Sequence, residues 1–204
     1  MKIALLGGSF DPPHKDHLLI AEHMLKFGGV DEVWLLPNYG HYYFGKKPHK
    51  KTAPVADRLA MARLLETDHI KISTIEIDHQ TSGQTIELLP LLPKGNEYFF
   101  LIGSDNVKRF KEWHGYKTLL EAMRFIVIPR LGYPCKKMKL YPRMKLIARY
   151  ELLPLSDLSS TKIRQLIKDG KSIHGLVDPR VEHYIYSHEL YKEGAHHHKE
   201  HEPY

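Results

Sequence analysis

The sequence predicts an α/β fold, a doubly wound parallel sheet with helices on both faces, and three observations carry that prediction. Short apolar runs, Ile3 to Leu6, VWLLP at 33 to 37 and YFFLIG at 98 to 103, read as strands buried on both faces, the pattern of parallel sheets. Stretches of helical periodicity separate them, which is the alternation expected of βαβ units. The first apolar run ends in Gly7-Gly8, where the backbone can turn and let a ligand approach without a side chain in the way.

Taken in order, Ile3, Ala4, Leu5 and Leu6 form the first strand. After Pro12-Pro13 a helix begins at His14, with Leu18, Leu19, Ala21, Met24 and Leu25 at helical spacing. VWLLP is the second strand; a polar loop follows it, and ADRLAMARLL from Ala56 to Leu65 is the second helix. A weak third strand covers 70 to 75, a helix runs from Thr85 to Leu92, and YFFLIG is a fully buried strand. RFIVIPR at 124 to 130 is the next strand, and ARYELLPL supplies a last one near 148 to 153. From Ser159 the chain turns helical through Ile167 and stops at Gly170, and the amphipathic PRVEHYIYSHELY closes the fold.

With 204 residues, 42% of them hydrophobic, the chain can bury a substantial core as one domain spanning 1 to 192, followed by a flexible His-rich tail over 193 to 204. No apolar run approaches the roughly 20 residues of a membrane span, and MKIALLGG lacks the pattern of a signal peptide. A cytoplasmic protein with no membrane partner is the expectation. A single cysteine, Cys135, cannot form an internal disulfide and fits a reducing compartment. The net charge of +6 points to an anionic partner. Its basic runs, KKPHKK at 46 to 51 and CKKMKLYPRMK at 135 to 145, lack the aromatic or zinc-ligand pattern of a nucleic-acid module, which leaves small phosphates or plain solvated loops.

Three segments carry the chemistry. His14 and His17 share one face of a first helical turn, where unpaired N–H groups and the positive end of the helix dipole favour an anion. GSDN at 103 to 106 ends a strong strand, so Asp105 stands at a carboxyl end where it accepts ribose hydroxyls or caps a helix. LSSTKIR at 158 to 164 opens a helix with Ser159, Ser160, Thr161 and Arg164, which either converge on an anion or form a capping cluster with an incidental arginine.

Together these segments resemble the HxGH nucleotidyltransferases, and within them the nicotinate/nicotinamide mononucleotide adenylyltransferases, over nearly the whole chain from GGSFDPPH to YIYSHELY. The resemblance implies the Rossmann-like nucleotidyltransferase fold and transfer of the adenylyl group of ATP to a pyridine mononucleotide, giving the dinucleotide and pyrophosphate in NAD biosynthesis. Mg²⁺ would accompany ATP, with no metal ligand from the protein. GGSFDPPHKDH is similar to the family's GGTFDPPHxGH, which implies that Gly8, Ser9 and Phe10 line the cleft and that His14 and His17 touch ATP phosphates. LSSTKIR resembles SSTxIR, which implies that Ser159, Ser160, Thr161 and Arg164 hold the β and γ phosphates, with His14, His17 and Arg164 as the catalytic set.

GSDNVKRFKEWHGY is similar to GxDxxxxxxxW; this implies Gly103 and Asp105 near the adenosine ribose and Trp113 against the pyridine ring. HKKTAPVADRLAM resembles an HK segment followed by RLxM and makes Lys50 a phosphate contact. Asn38 and the pair Gln84-Thr85, standing where relatives carry a Tyr-Thr pair whose amides read the pyridine substituent, complete the mononucleotide side. Two departures stand out. HKDH has Asp16 where the family has glycine, and the helix dipole favours its carboxylate turned outward. The loop NYGHYYFGKKPHKK is long and aromatic. Three questions stay open on these residues. One is nicotinate against nicotinamide, the likeness to compact bacterial members favouring nicotinate. Another is whether the chain is a different transferase on this scaffold, such as a pantetheine-phosphate adenylyltransferase, or a non-catalytic nucleotide-binding domain. The last is whether the chain forms a homo-oligomer.

Overall fold

The computed structural model describes residues 1–40, 53–133, 135, 139–154 and 156–192; Lys50 and the tail at 193 to 204 lie outside the described residues. Six strands, β1 (Lys2–Gly8), β2 (Glu32–Pro37), β3 (Ile70–Ile72), β4 (Glu97–Gly103), β5 (Arg124–Ile128) and β6 (Met144–Leu146), form one sheet in the order β3-β2-β1-β4-β5-β6. Every neighbouring pair is parallel. The order reverses between β1 and β4, so the crevice at their carboxyl ends is where an open α/β sheet binds its ligand.

Among the described residues seven helices accompany the sheet: α1 (Lys15–Phe27), α2 (Val55–Arg63), α3 (Ile75–Asp78), α4 (Ser104–Val107), α5 (Tyr116–Ala122), α6 (Ser160–Lys168) and α7 (Pro179–Ser187). Side chains alternate across each strand, and the core divides accordingly. Ala4, Leu6, Leu101 and Ile126 join one buried cluster with Met24 of α1, Met61 of α2, Ile163 of α6 and Ile185 of α7. Ile3, Leu5, Phe100, Phe125 and Val127 join the other, with Val107 of α4, Leu119 of α5 and Phe110. Both faces are covered, as the uninterrupted apolar runs require.

Three expectations need correction. The helix from Thr85 to Leu92 shrinks to one 3₁₀ turn, Thr85–Leu88, because Pro90 lacks the N–H that a continuing helix needs. The strand near 148 to 153 is a 3₁₀ turn, Tyr150–Leu152, entered through Arg149 at φ 53°. The sixth strand is the three-residue β6 just before it, too short to leave a periodic signal. Finally, α1 starts at Lys15, and His14, with extended backbone, is its N-cap residue.

Candidate active site

The crevice between β1 and β4 contains a cavity of about 310 Å³. Its floor is the paired carboxyl ends of the strands, Gly7 and Gly8 beside Leu36 and Pro37, and Gly103 beside Ile128. A Cβ at Gly103 would collide with the Asp105 carboxylate, which would have to shift, and come within 3.2 Å of Arg130 Nε. Asp105 Oδ1 is buried and lacks a hydrogen-bond partner among the described residues, and Asn106 Nδ2 reaches only Oδ2, at 3.5 Å. A buried carboxylate oxygen in that state is a ready acceptor for a hydroxyl donor.

The histidine turn stands beside this floor. The His14 amide donates to His17 Nδ1 at 3.0 Å, and the two rings lie 3.9 Å apart. Accepting at Nδ1 fixes neutral His17 with its proton on Nε2, so the ring presents a donor from its far edge. Burial, with Arg130 adding to it, pushes His14 down to about 4. Burial, then His14 and Arg130, hold His17 well below its ordinary value. Both rings are therefore neutral near pH 7, and an arriving polyanion would favour their protonation.

Phe10 departs from the sequence reading. Its side chain is 0% exposed and belongs to the core, so it offers no surface to the cleft. Instead it packs 4.8 Å from the His17 ring and supports it from behind, and its φ of 48° turns the chain from β1 toward the histidines. Asp16 is half-buried: the Ser156 hydroxyl hydrogen-bonds its carboxylate and Arg130 lies within its field, although burial still raises its pKa. Lys15 also favours its anion, and Asp157 opposes it.

The 158 to 164 segment joins this turn, as the pairing of the two motifs implied. Ser159 caps α6 by accepting from the Lys162 amide at 3.2 Å, and Ser160 Oγ donates to Pro12 O at 2.8 Å. Arg164 donates to Asp11 O at 2.6 Å and to Thr161 Oγ1 at 3.2 Å, and lies 3.4 Å from the Asp11 carboxylate. The capping reading of LSSTKIR holds at Ser159, Ser160 fixes the segment to the histidine turn, and the part-exposed Arg164 guanidinium keeps donors to spare. Asp11 is itself 0% exposed and accepts from the Ala53 amide at 3.0 Å and the Tyr191 hydroxyl at 2.8 Å.

The opposite end of the cavity is lined by Asn38, Glu76, Gly83, Thr85 and Trp113. Trp113 stands edge-on to Phe100 at 6.2 Å and tilts over Phe110 at 5.2 Å, so the aromatic core holds its indole in one orientation. Asn38 continues β2: its amide donates to Gly8 O at 3.0 Å, and its own carbonyl accepts from Arg58 at 2.9 Å. Gln84 precedes the 3₁₀ turn that starts at Thr85 and is not among the cavity-lining residues.

Sequence reasoning missed four residues. Arg130 lines the cavity and acts on His14, His17 and Asp16 together; standing at the end of a predicted strand was its only signal. Arg58, in the RLxM segment, is buried and donates to Ser9 O at 2.8 Å and Ala53 O at 3.2 Å, joining β1, β2 and α2 beneath the site. Tyr191 and Glu76 carried no signal. Among the described residues no three His, Cys, Asp or Glu side chains converge to hold a metal ion, and no helix is long and apolar enough to cross a membrane.

Comparison with known proteins agrees with this geometry. The cytidylyltransferase-like family model matches residues 5–166. The chain is 35% identical over 203 residues to the probable nicotinate-nucleotide adenylyltransferase of Bacillus pumilus, covering 94% of this chain and 98% of the relative. It is likewise 35% identical over 201 residues to that of Caldicellulosiruptor bescii, covering 94% and 100%. Among solved structures, the Plasmodium falciparum nicotinic acid mononucleotide adenylyltransferase complexed with NaAD superimposes with a TM-score of 0.75 at 21% identity, over 93% of this chain and 97% of that one. At that identity the likeness speaks for the fold.

Proposed function

Because the chain belongs to the cytidylyltransferase-like family, alongside its nicotinate-nucleotide adenylyltransferases, we propose that it transfers the adenylyl group of MgATP to nicotinate mononucleotide. The observation that carries this reading is the division of one cleft at the β1/β4 switch point. Arg130 lines one end, and the two neutral histidines that feel its charge stand beside it, with Arg164 joined to their turn through Asp11; the other end is aromatic and polar, with Trp113, Asn38 and Thr85. A triphosphate suits the first end and a pyridine ring the second.

The 5′-phosphate of the mononucleotide attacks the α-phosphorus in line; a new P–O bond forms, the bond to the bridging oxygen of the β-phosphate breaks, and pyrophosphate leaves. No protein nucleophile is needed. The protein aligns the two phosphates and neutralises charge as it builds. His17 Nε2–H and Arg130 would meet the α-phosphate, the start of α6 with Ser159, Thr161 and Arg164 the departing pyrophosphate, and Asp105 the adenosine ribose. Trp113 would stack on the pyridine ring, with Asn38 and the Gln84-Thr85 backbone at its rim. Mg²⁺ enters as part of the substrate, held by phosphate oxygens and water, which agrees with its preference for sites that need few protein ligands. The reaction belongs with the nucleotide pool of the cytoplasm.

Pyrophosphate release tests the reading, with MgATP and nicotinate mononucleotide, nicotinamide mononucleotide or pantetheine phosphate supplied in turn. Turnover with a pyridine mononucleotide and none with pantetheine phosphate is expected. ATP binding without turnover on any acceptor would overturn it.

A further inference from the structure

We propose that Glu76 is the specificity-determining side chain for the ring substituent of the pyridine substrate, donating a hydrogen bond as a neutral acid to a carboxylate and accepting one as an anion from a carboxamide. The inference rests on the adenylyl-transfer reading and assigns Glu76 a role in it. Glu76 is 7% exposed and lines the cavity at the end occupied by Asn38, Thr85 and Trp113. Its Oε2 accepts from Thr81 Oγ1 at 3.1 Å, and the Thr81 amide donates to its carbonyl at 3.0 Å, so the side chain is held in place. Oε1 has no hydrogen-bond partner among the described residues and is not one of the enclosed unpaired atoms, in a side chain that lines the cavity.

The groups acting on this carboxyl come from each neighbouring element. The Thr81 hydroxyl and Arg58 of α2 favour the anion, whereas Glu87 of the 3₁₀ turn opposes it. Burial outweighs them all and pushes the carboxyl up to about 7. Raised that far, the carboxyl donates when neutral and, once ionised, repels a second carboxylate. A nicotinate ring therefore meets a donor on the acid side and a like charge on the alkaline side. A nicotinamide ring, whose carboxamide carries both donor and acceptor, meets a partner on either side.

The test is the ratio of KM for nicotinate mononucleotide to KM for nicotinamide mononucleotide, measured by pyrophosphate release across about pH 6 to 9 at saturating MgATP. The ratio cancels the titration of the shared 5′-phosphate and of the histidines. In the wild type it should rise by up to about tenfold per pH unit above neutrality, as a single titrating group requires. Glu76→Gln, nearly isosteric and neutral throughout, should flatten it. Thr81→Val, which removes the hydroxyl favouring the anion, should move the rise to higher pH and gives a second readout if the Gln variant fails to fold. A wild-type ratio that does not vary with pH, or a Glu76→Gln ratio that varies like the wild type, overturns the assignment of Glu76 alone. Wild-type turnover with neither mononucleotide overturns the function itself.

Discussion

His17 is held from two sides, by the His14 amide at its Nδ1 and by Phe10 against its ring, so that its remaining N–H has one direction to point. That arrangement makes it a preorganised donor rather than a proton carrier, and removing such a donor costs on the order of 10²-fold or more in turnover. His17→Ala should lower kcat by at least ~10²-fold, and His17→Gln, which restores a side-chain N–H, should recover part of it. Near wild-type kcat in His17→Ala, in a variant with an unchanged melting transition, would remove the histidine from the mechanism. Gly103 bears on the same chemistry through space alone. A Cβ there meets the Asp105 carboxylate and comes within 3.2 Å of Arg130 Nε, so both side chains must shift. Gly103→Ala should cost about 1–3 kcal/mol of stability by overpacking and raise KM for ATP; a variant with wild-type KM and stability would show the crowding to be relieved elsewhere.

At the scale of elements, α6 is the piece whose placement decides whether the two motifs form one site. Ser159 and Ser160 are adjacent but do different work: Ser159 caps the helix, and Ser160 binds the helix to the turn that carries the histidines. Both Ser→Ala changes should lower stability by about 1 kcal/mol in urea denaturation. Ser160→Ala should raise KM for ATP more, because only it detaches α6 from Pro12; equal KM values in the two variants would deny Ser160 that function. Strands β1, β2, β4 and β5 and helices α1, α2 and α6 were legible in the chain because long apolar runs and helical spacing are local signals. β6 was not, since three residues of an edge strand carry no period, and the Thr85 helix was overestimated past Pro90. His14, His17 and Arg164 were legible through short motifs. Glu76 and Arg130 owe their roles to what surrounds them in space, which spacing along the chain does not encode.

Across the whole molecule, a hydrogen bond spanning 180 residues of sequence closes the fold on its own active site: Tyr191 Oη donates to Asp11 Oδ1 at 2.8 Å, and Asp11 in turn pairs with Arg164 at 3.4 Å. Burial raises the Asp11 pKa above its ordinary value, while the Ala53 amide, Tyr191, Arg164 and Arg58 oppose that rise in this order. A carboxyl raised on folding binds its proton more tightly in the native state, so its contribution to stability is largest in acid and declines as pH climbs through the raised value. His14 works in the opposite sense. Its ring, lowered to about 4 from 6.5, holds fewer protons in the native state, so its contribution is complete above about pH 6.5 and is lost as pH falls toward 4. Tyr191→Phe leaves the His14 contribution untouched and removes one of the donors that keep Asp11 ionised. The variant should lose about 1.5–3 kcal/mol at pH 7.5, the usual worth of a hydrogen bond to a buried charge. The deficit should shrink as acid protonates Asp11 in both proteins, which urea denaturation at pH 7.5 and pH 5 would measure. Because the displaced carboxylate also orients Arg164, KM for ATP should rise at pH 7.5 with a smaller change in kcat. A deficit that is absent at pH 7.5, or that grows toward pH 5, would mean that Tyr191 packs against the core without governing the charge at Asp11.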